Sequence, residues 1–174
     1  MTALGAATAS STDEISAGLE KFAAVSNSVG LSYEYATSAL ATVTATTRQS
    51  ADVVGTAFKT LFARIQDLEL GKTLDDGTTL GKYSQALETV GISIKTADGG
   101  LREMDDILSD LGEKWNSFDA EGNPLISDDA KIALAQTVAG VRQYTQLIAL
   151  MDNWDFMKEN LETARNATGT LNEQ

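Results

Sequence analysis

Apolar residues recur at alternating spacings of three and four along most of this 174-residue chain, and a capping residue or glycine interrupts each run within about 20 residues. That rhythm constrains the fold more than any other feature. Each short amphipathic helix carries one apolar stripe, and a stripe is stable only when another element covers it. An uninterrupted helix of this length would reach roughly 260 Å at about 1.5 Å per residue. The interruptions predict instead a chain that folds back into a globule with a radius of gyration of roughly 16 Å.

The elements can be placed from caps and spacing. Ser11-Thr12-Asp13-Glu14 forms a capping box ahead of Ile15, Leu19, Phe22 and Val25, and Val29-Gly30 ends that helix. A second helix opens at Ser32 with Tyr33, Ala36, Leu40 and Val43 on its apolar side, and breaks near Gln49-Ser50. Val54, Phe58, Leu61, Ile65 and Leu68 define a third, Asp75-Asp76-Gly77 a turn, and Leu80, Tyr83, Leu87 and Val90 a fourth closed by Gly91. Ile92-Ser93-Ile94-Lys95-Thr96 alternates apolar and polar before Ala97-Asp98-Gly99-Gly100, which predicts a small β-hairpin over residues 92–102. Met104, Leu108, Leu111, Trp115 and Phe118 make the most clearly periodic helix, followed by a polar loop from Asp119 to Pro124. Ser127 caps the next helix, with Ile132, Ala135 and Val138 inward and a break at Ala139-Gly140. Val141, Tyr144, Ile148 and Met151 continue, and Trp154, Met157, Leu161 and Ala164 give the last helix. The expectation is an all-α fold of roughly seven to eight short helices with that one hairpin. Residues 1–12 are expected to form a flexible leader, 13–167 the compact domain and 168–174 a frayed end.

Composition removes much chemistry. Cysteine and histidine are absent, which excludes disulfides, thiol nucleophiles, Cys/His metal sites and any general base built on imidazole. Thirteen basic residues against 25 acidic ones give a net charge of −12, unsuited to neutralising phosphates or adhering to anionic lipid. The longest apolar run, Leu147 to Met151, is far short of a membrane span, and Met1 to Ala7 lacks the basic flank of a signal peptide.

The remaining candidates for chemistry are acidic. Asp75-Asp76, Asp105-Asp106 and Asp128-Asp129 are residue pairs of the type that hold Mg²⁺ or Ca²⁺, although acids in turns and first helical turns also have a purely structural use. Asp119 to Ala130 matches a calcium loop at its first, third and fifth positions but has Pro124 for the central glycine and Ala130 for the final glutamate. No phosphate-binding glycine loop, nucleophile elbow or Ser-x-x-Lys motif occurs. Trp115, Phe118 and Trp154 are the large anchors, expected in the core. Arg48, Arg64 and Arg142 either pair with carboxylates or extend solvated heads over apolar stems. No residue is assigned a catalytic, cofactor-binding or metal-binding role, no cofactor is expected, and the chain is not expected to be an enzyme.

Five blocks in order carry a resemblance: Leu31-Ser32-Tyr33-Glu34-Tyr35-Ala36; Val54 to Ile65; Leu87 to Ile94 with Asp98 to Arg102; Met104 to Leu108; and Leu134 to Tyr144. Together they resemble the core region of tailed-phage tail tape measure proteins, over residues 15–165. The resemblance implies a non-catalytic component of a phage or prophage tail that acts in tail assembly and tail-length determination. Its implied partners are tail tube subunits, tail-initiation proteins of the baseplate or tip and tail assembly chaperones, with no direct nucleic-acid or membrane contact and self-association left open. Its implied place is the virion tail, assembled in the bacterial host cytoplasm. Members of that family are several-fold longer, so the sequence is expected to be one compact piece of such a protein. The competing readings are an acidic helical interaction module or secreted effector, and a carboxylate-metal enzyme.

Overall fold

The structure, a computed structural model, describes residues 11–173, with side chains described to Gly169. Ten residues of the expected leader at 1–12 lie outside that range. Eight helices occupy the described residues: α1 (Thr12–Ser28), α2 (Tyr33–Thr47), α3 (Ala51–Glu69), α4 (Leu80–Thr89), α5 (Met104–Trp115), α6 (Asp128–Ala139), α7 (Tyr144–Asp152) and α8 (Trp154–Glu173). Helical backbone continues to Glu173, through the residues from 168 onward where the sequence suggested a frayed end.

Caps set most of the starts. Hydroxyl oxygens of Ser11, Ser32, Ser50, Thr79 and Ser127 each accept a hydrogen bond from the backbone N–H three residues ahead, at 3.1–3.2 Å. α5 is different, because Glu103 at its N-cap makes no side-chain capping bond. Its first amides reach across the molecule: Met104 N–H donates to the Val29 carbonyl at 3.0 Å and Asp105 N–H to that of Gly30 at 3.2 Å. The turn after α1 exposes those carbonyls because Gly30 takes φ +79°, closing a Schellman motif in which Leu31 N–H reaches Ser26 O at 2.9 Å.

Helix α2 is the axis of the core. Every residue from Tyr35 to Thr44 is buried, and α1, α3, α7 and α8 all pack on it. Its composition explains how, since alanine, serine and threonine keep the helix thin enough for neighbours on every side. The buried hydroxyls are satisfied locally: Thr37, Ser38, Thr42 and Thr44 each donate to the carbonyl four residues back. α1 and α3 also pack against each other, joined by Phe22 against Phe58 and Phe62 with ring centroids 5.4 and 6.2 Å apart.

Five sequence expectations need correction. The hairpin at 92–102 does not form, and no strand occurs among the described residues; one antiparallel bridge, Lys95 with Leu101, is all that remains of it. Side chains and neighbours take the backbone groups a ladder needs. Ser93 Oγ accepts from Lys95 N–H, Ile92 N–H donates to Leu87 O, and beyond Arg102 the chain turns into α5. The alternation had a different cause: Ile92 and Ile94 are buried while Ser93 and Lys95 face out. Tyr33 is 55% exposed and Tyr35, 1% exposed, takes the inward place. Phe118 is also exposed, because α5 stops at Trp115 where Asn116 Nδ2 bonds Gly112 O and Met151 O at 3.2 and 2.8 Å. On α6 the inward residue is Leu134 rather than Ile132, and Val141 stands in the turn after it, exposed.

Candidate functional site

The three acidic pairs lie on different elements, and the fold does not bring them together. Among the described residues no group of three or more acidic side chains is placed to hold a metal ion. Each pair has local work. Asp76 accepts from Thr78 N–H at 3.0 Å and from Arg64 Nη1 at 2.9 Å, bonds that hold its carboxyl below the usual range. Asp105 accepts from Ser32 N–H at 3.0 Å, completing the reciprocal lock between the α1–α2 turn and the start of α5. Burial raises its pKa, partly opposed by that bond. Asp128 and Asp129 lie exposed in the first turn of α6, where the helix dipole favours them. In the calcium-like loop, Asp119 Oδ1 accepts from its own backbone, from Glu121 N–H and Asn123 N–H at 2.9 Å each. That carboxylate is turned inward as an Asx turn.

Two of the three aromatic anchors are core. Trp115 Nε1 donates to Asp152 at 2.8 Å, and Lys131 sits 5.3 Å from its ring centroid. Trp154 lies against Gly112 and donates to Glu113 at 3.1 Å.

The arginines separate into two roles. Arg48 is exposed and closes α2 in the left-handed region at φ 61°, and Arg142 is exposed in the α6–α7 turn. Arg64 is largely buried and ties three elements together: its guanidinium reaches Asp76, Thr78 Oγ1 at 3.0 Å and the Thr137 carbonyl at 3.0 Å. Above it opens a groove of about 710 Å³, walled by one face of α3, the loop 72–76 and the turn 140–143. Sequence reasoning named Arg64 and Arg142 separately and missed that they share this groove with Lys59 and Lys72. The three segments are far apart in the chain, so only their packing reveals it.

A family model described as phage-related minor tail protein matches residues 1–140. The chain belongs to that family. No solved structure matches it. The matched region ends at Gly140, the glycine between α6 and α7, yet the core does not end there. α7 and α8 supply Leu147, Leu150, Met151, Trp154, Met157 and Leu161 to the buried cluster, and Asn160 Nδ2 donates to Thr42 Oγ1 at 2.9 Å inside it. For this minor tail protein, the segment beyond the match is structurally part of the same unit.

Proposed function

We propose that this chain is a compact domain of a tail tape measure protein, a non-catalytic structural component that acts in tail assembly and tail-length determination. The family match over residues 1–140 carries the reading, and the blocks from Leu31 to Tyr144 specify it further. The partners that follow are tail tube subunits, tail-initiation proteins at the baseplate or tip, and tail assembly chaperones. The domain then resides in the virion tail after assembly in the host cytoplasm. A folded helical globule contributes little length to a tube, so its task in this reading is contact during initiation, with length set by extended helix elsewhere in the protein.

Removing the codons for this region in frame from the full-length gene, followed by electron microscopy of the particles, tests both parts. The expected result is a loss of assembled tails or of length control. Tails that form normally but shorten by roughly 260 Å, the rise of 174 helical residues, would show the region acting as an extended ruler and overturn the compact-domain assignment. Unchanged number, length and infectivity would overturn the whole reading.

A further inference from the structure

Phe118 is the one exposed phenylalanine among the described residues, and it stands 65% exposed on the loop between α5 and α6. Hydrogen bonds fix that loop. Asp119 N–H donates to the Asn123 carbonyl at 2.8 Å and Leu125 N–H to that of Ser117 at 2.9 Å, closing an antiparallel bridge between Phe118 and Pro124. The Asp119 carboxylate holds the tip from inside through Glu121 N–H and Asn123 N–H. Residues paired across such a bridge carry their side chains on one face, so Phe118 and Pro124, both exposed, stand side by side. A ring presented on a fixed backbone gives up little conformational freedom when a partner covers it.

The charge around this apolar pair has one sign. Between Trp115 and Lys131 the chain has Asp119, Glu121, Asp128 and Asp129 and no lysine or arginine. The cations on either side are engaged: Lys114 Nζ donates to the Val90 and Gly91 carbonyls at 3.0 and 3.1 Å, and Lys131 lies over the Trp115 ring. Glu121, Asp128 and Asp129 are exposed, and their carboxylates make neither an ion pair nor a hydrogen bond among the described residues. Asp128 lies within about 15 Å of Pro124, the reach of four residues.

We infer that this loop docks on a basic partner protein, with Phe118 and Pro124 entering an apolar pocket and the free carboxylates meeting lysines or arginines at its rim. Charge selects the occupant, and here the local and overall signs agree. At a net charge of −12 the chain attracts a basic surface and repels a second copy, a nucleic acid and an anionic membrane alike. A bare metal ion would leave the apolar pair uncovered, and among the described residues no group of three acidic side chains is placed to hold one.

The test uses the full chain and a fluorescein-labelled dodecapeptide in which lysine alternates with leucine. Anisotropy titration should show binding that weakens with added salt and weakens by at least about tenfold in Phe118→Ser, a variant that keeps every charge. The double variant Glu121→Gln, Asp129→Asn, which keeps the apolar pair, should also bind more weakly and lose most of the salt dependence. A peptide with glutamate for lysine, and one with serine for leucine, should not bind. All three substituted residues are exposed, so thermal melting of the variants should match the parent, separating lost docking from lost folding. No binding by the parent, equal affinity of parent and Phe118→Ser, or tight binding of the glutamate peptide would overturn the inference. So would sedimentation showing self-association that Phe118→Ser abolishes, since a second copy would then be the occupant.

Discussion

Glu69 closes α3 half-buried, its carboxylate with neither an ion pair nor a hydrogen bond among the described residues, and burial pushes its pKa up to about 7. Burial raises the Tyr83 hydroxyl above its ordinary range, and the nearby Glu69 charge adds to that. The folded protein therefore keeps a proton on Glu69 that the unfolded chain has released. That favours folding most at low pH, and the benefit is lost as pH rises from the ordinary glutamate range toward and through about 7. Replacing Glu69 with glutamine should raise the melting temperature at pH 8 and leave it nearly unchanged at pH 5, as read by circular dichroism. An equal shift at both pH values would assign the effect to packing. Nothing in the local sequence marks this residue.

Between elements, α1 and α3 cross with backbone directly against backbone. A Cβ built on Gly18 would stand 2.6 Å from the Ala51 carbonyl oxygen, and one built on Gly55 would collide with the carbonyl of Gly18. Backbone cannot swing aside as a side chain can. Gly55→Ala should therefore cost stability by about 1–2 kcal/mol, since overpacking of about 1–3 kcal/mol outweighs the gain of up to about 1 in helix propensity. Gly81→Ala is the matched comparison, because only Thr79 Oγ1 approaches, at 3.8 Å. It should be neutral or stabilising, and chemical denaturation of both variants checks the opposed signs. Element boundaries were legible where the cause is local, as at the hydroxyl caps Ser11, Ser32 and Ser127 and the glycines after α1, α4 and α6. Orientation was less so. Tyr33 and Ile132 fit an apolar stripe by spacing yet point outward, because Tyr35 and Leu134 meet the neighbouring helices that actually arrived.

For the whole molecule, the packing of α1, α3, α7 and α8 on α2 predicts a compact particle in solution. Small-angle scattering of the 174-residue chain should give a radius of gyration of roughly 16 Å, and a rod-like profile above about 25 Å would contradict the fold. The sequence by itself determined the helical class, most boundaries and the absence of thiol and imidazole chemistry, because propensity, capping and residue inventory act over a few neighbouring residues. Only the tertiary structure decided that α2 is buried on all sides, that residues 92–102 stay irregular, and that the α1–α2 turn caps α5. It alone placed Lys59, Arg64, Lys72 and Arg142 around one groove. Each of these depends on groups distant in the chain meeting in space, and a backbone amide or a side chain takes the partner that packing brings to it.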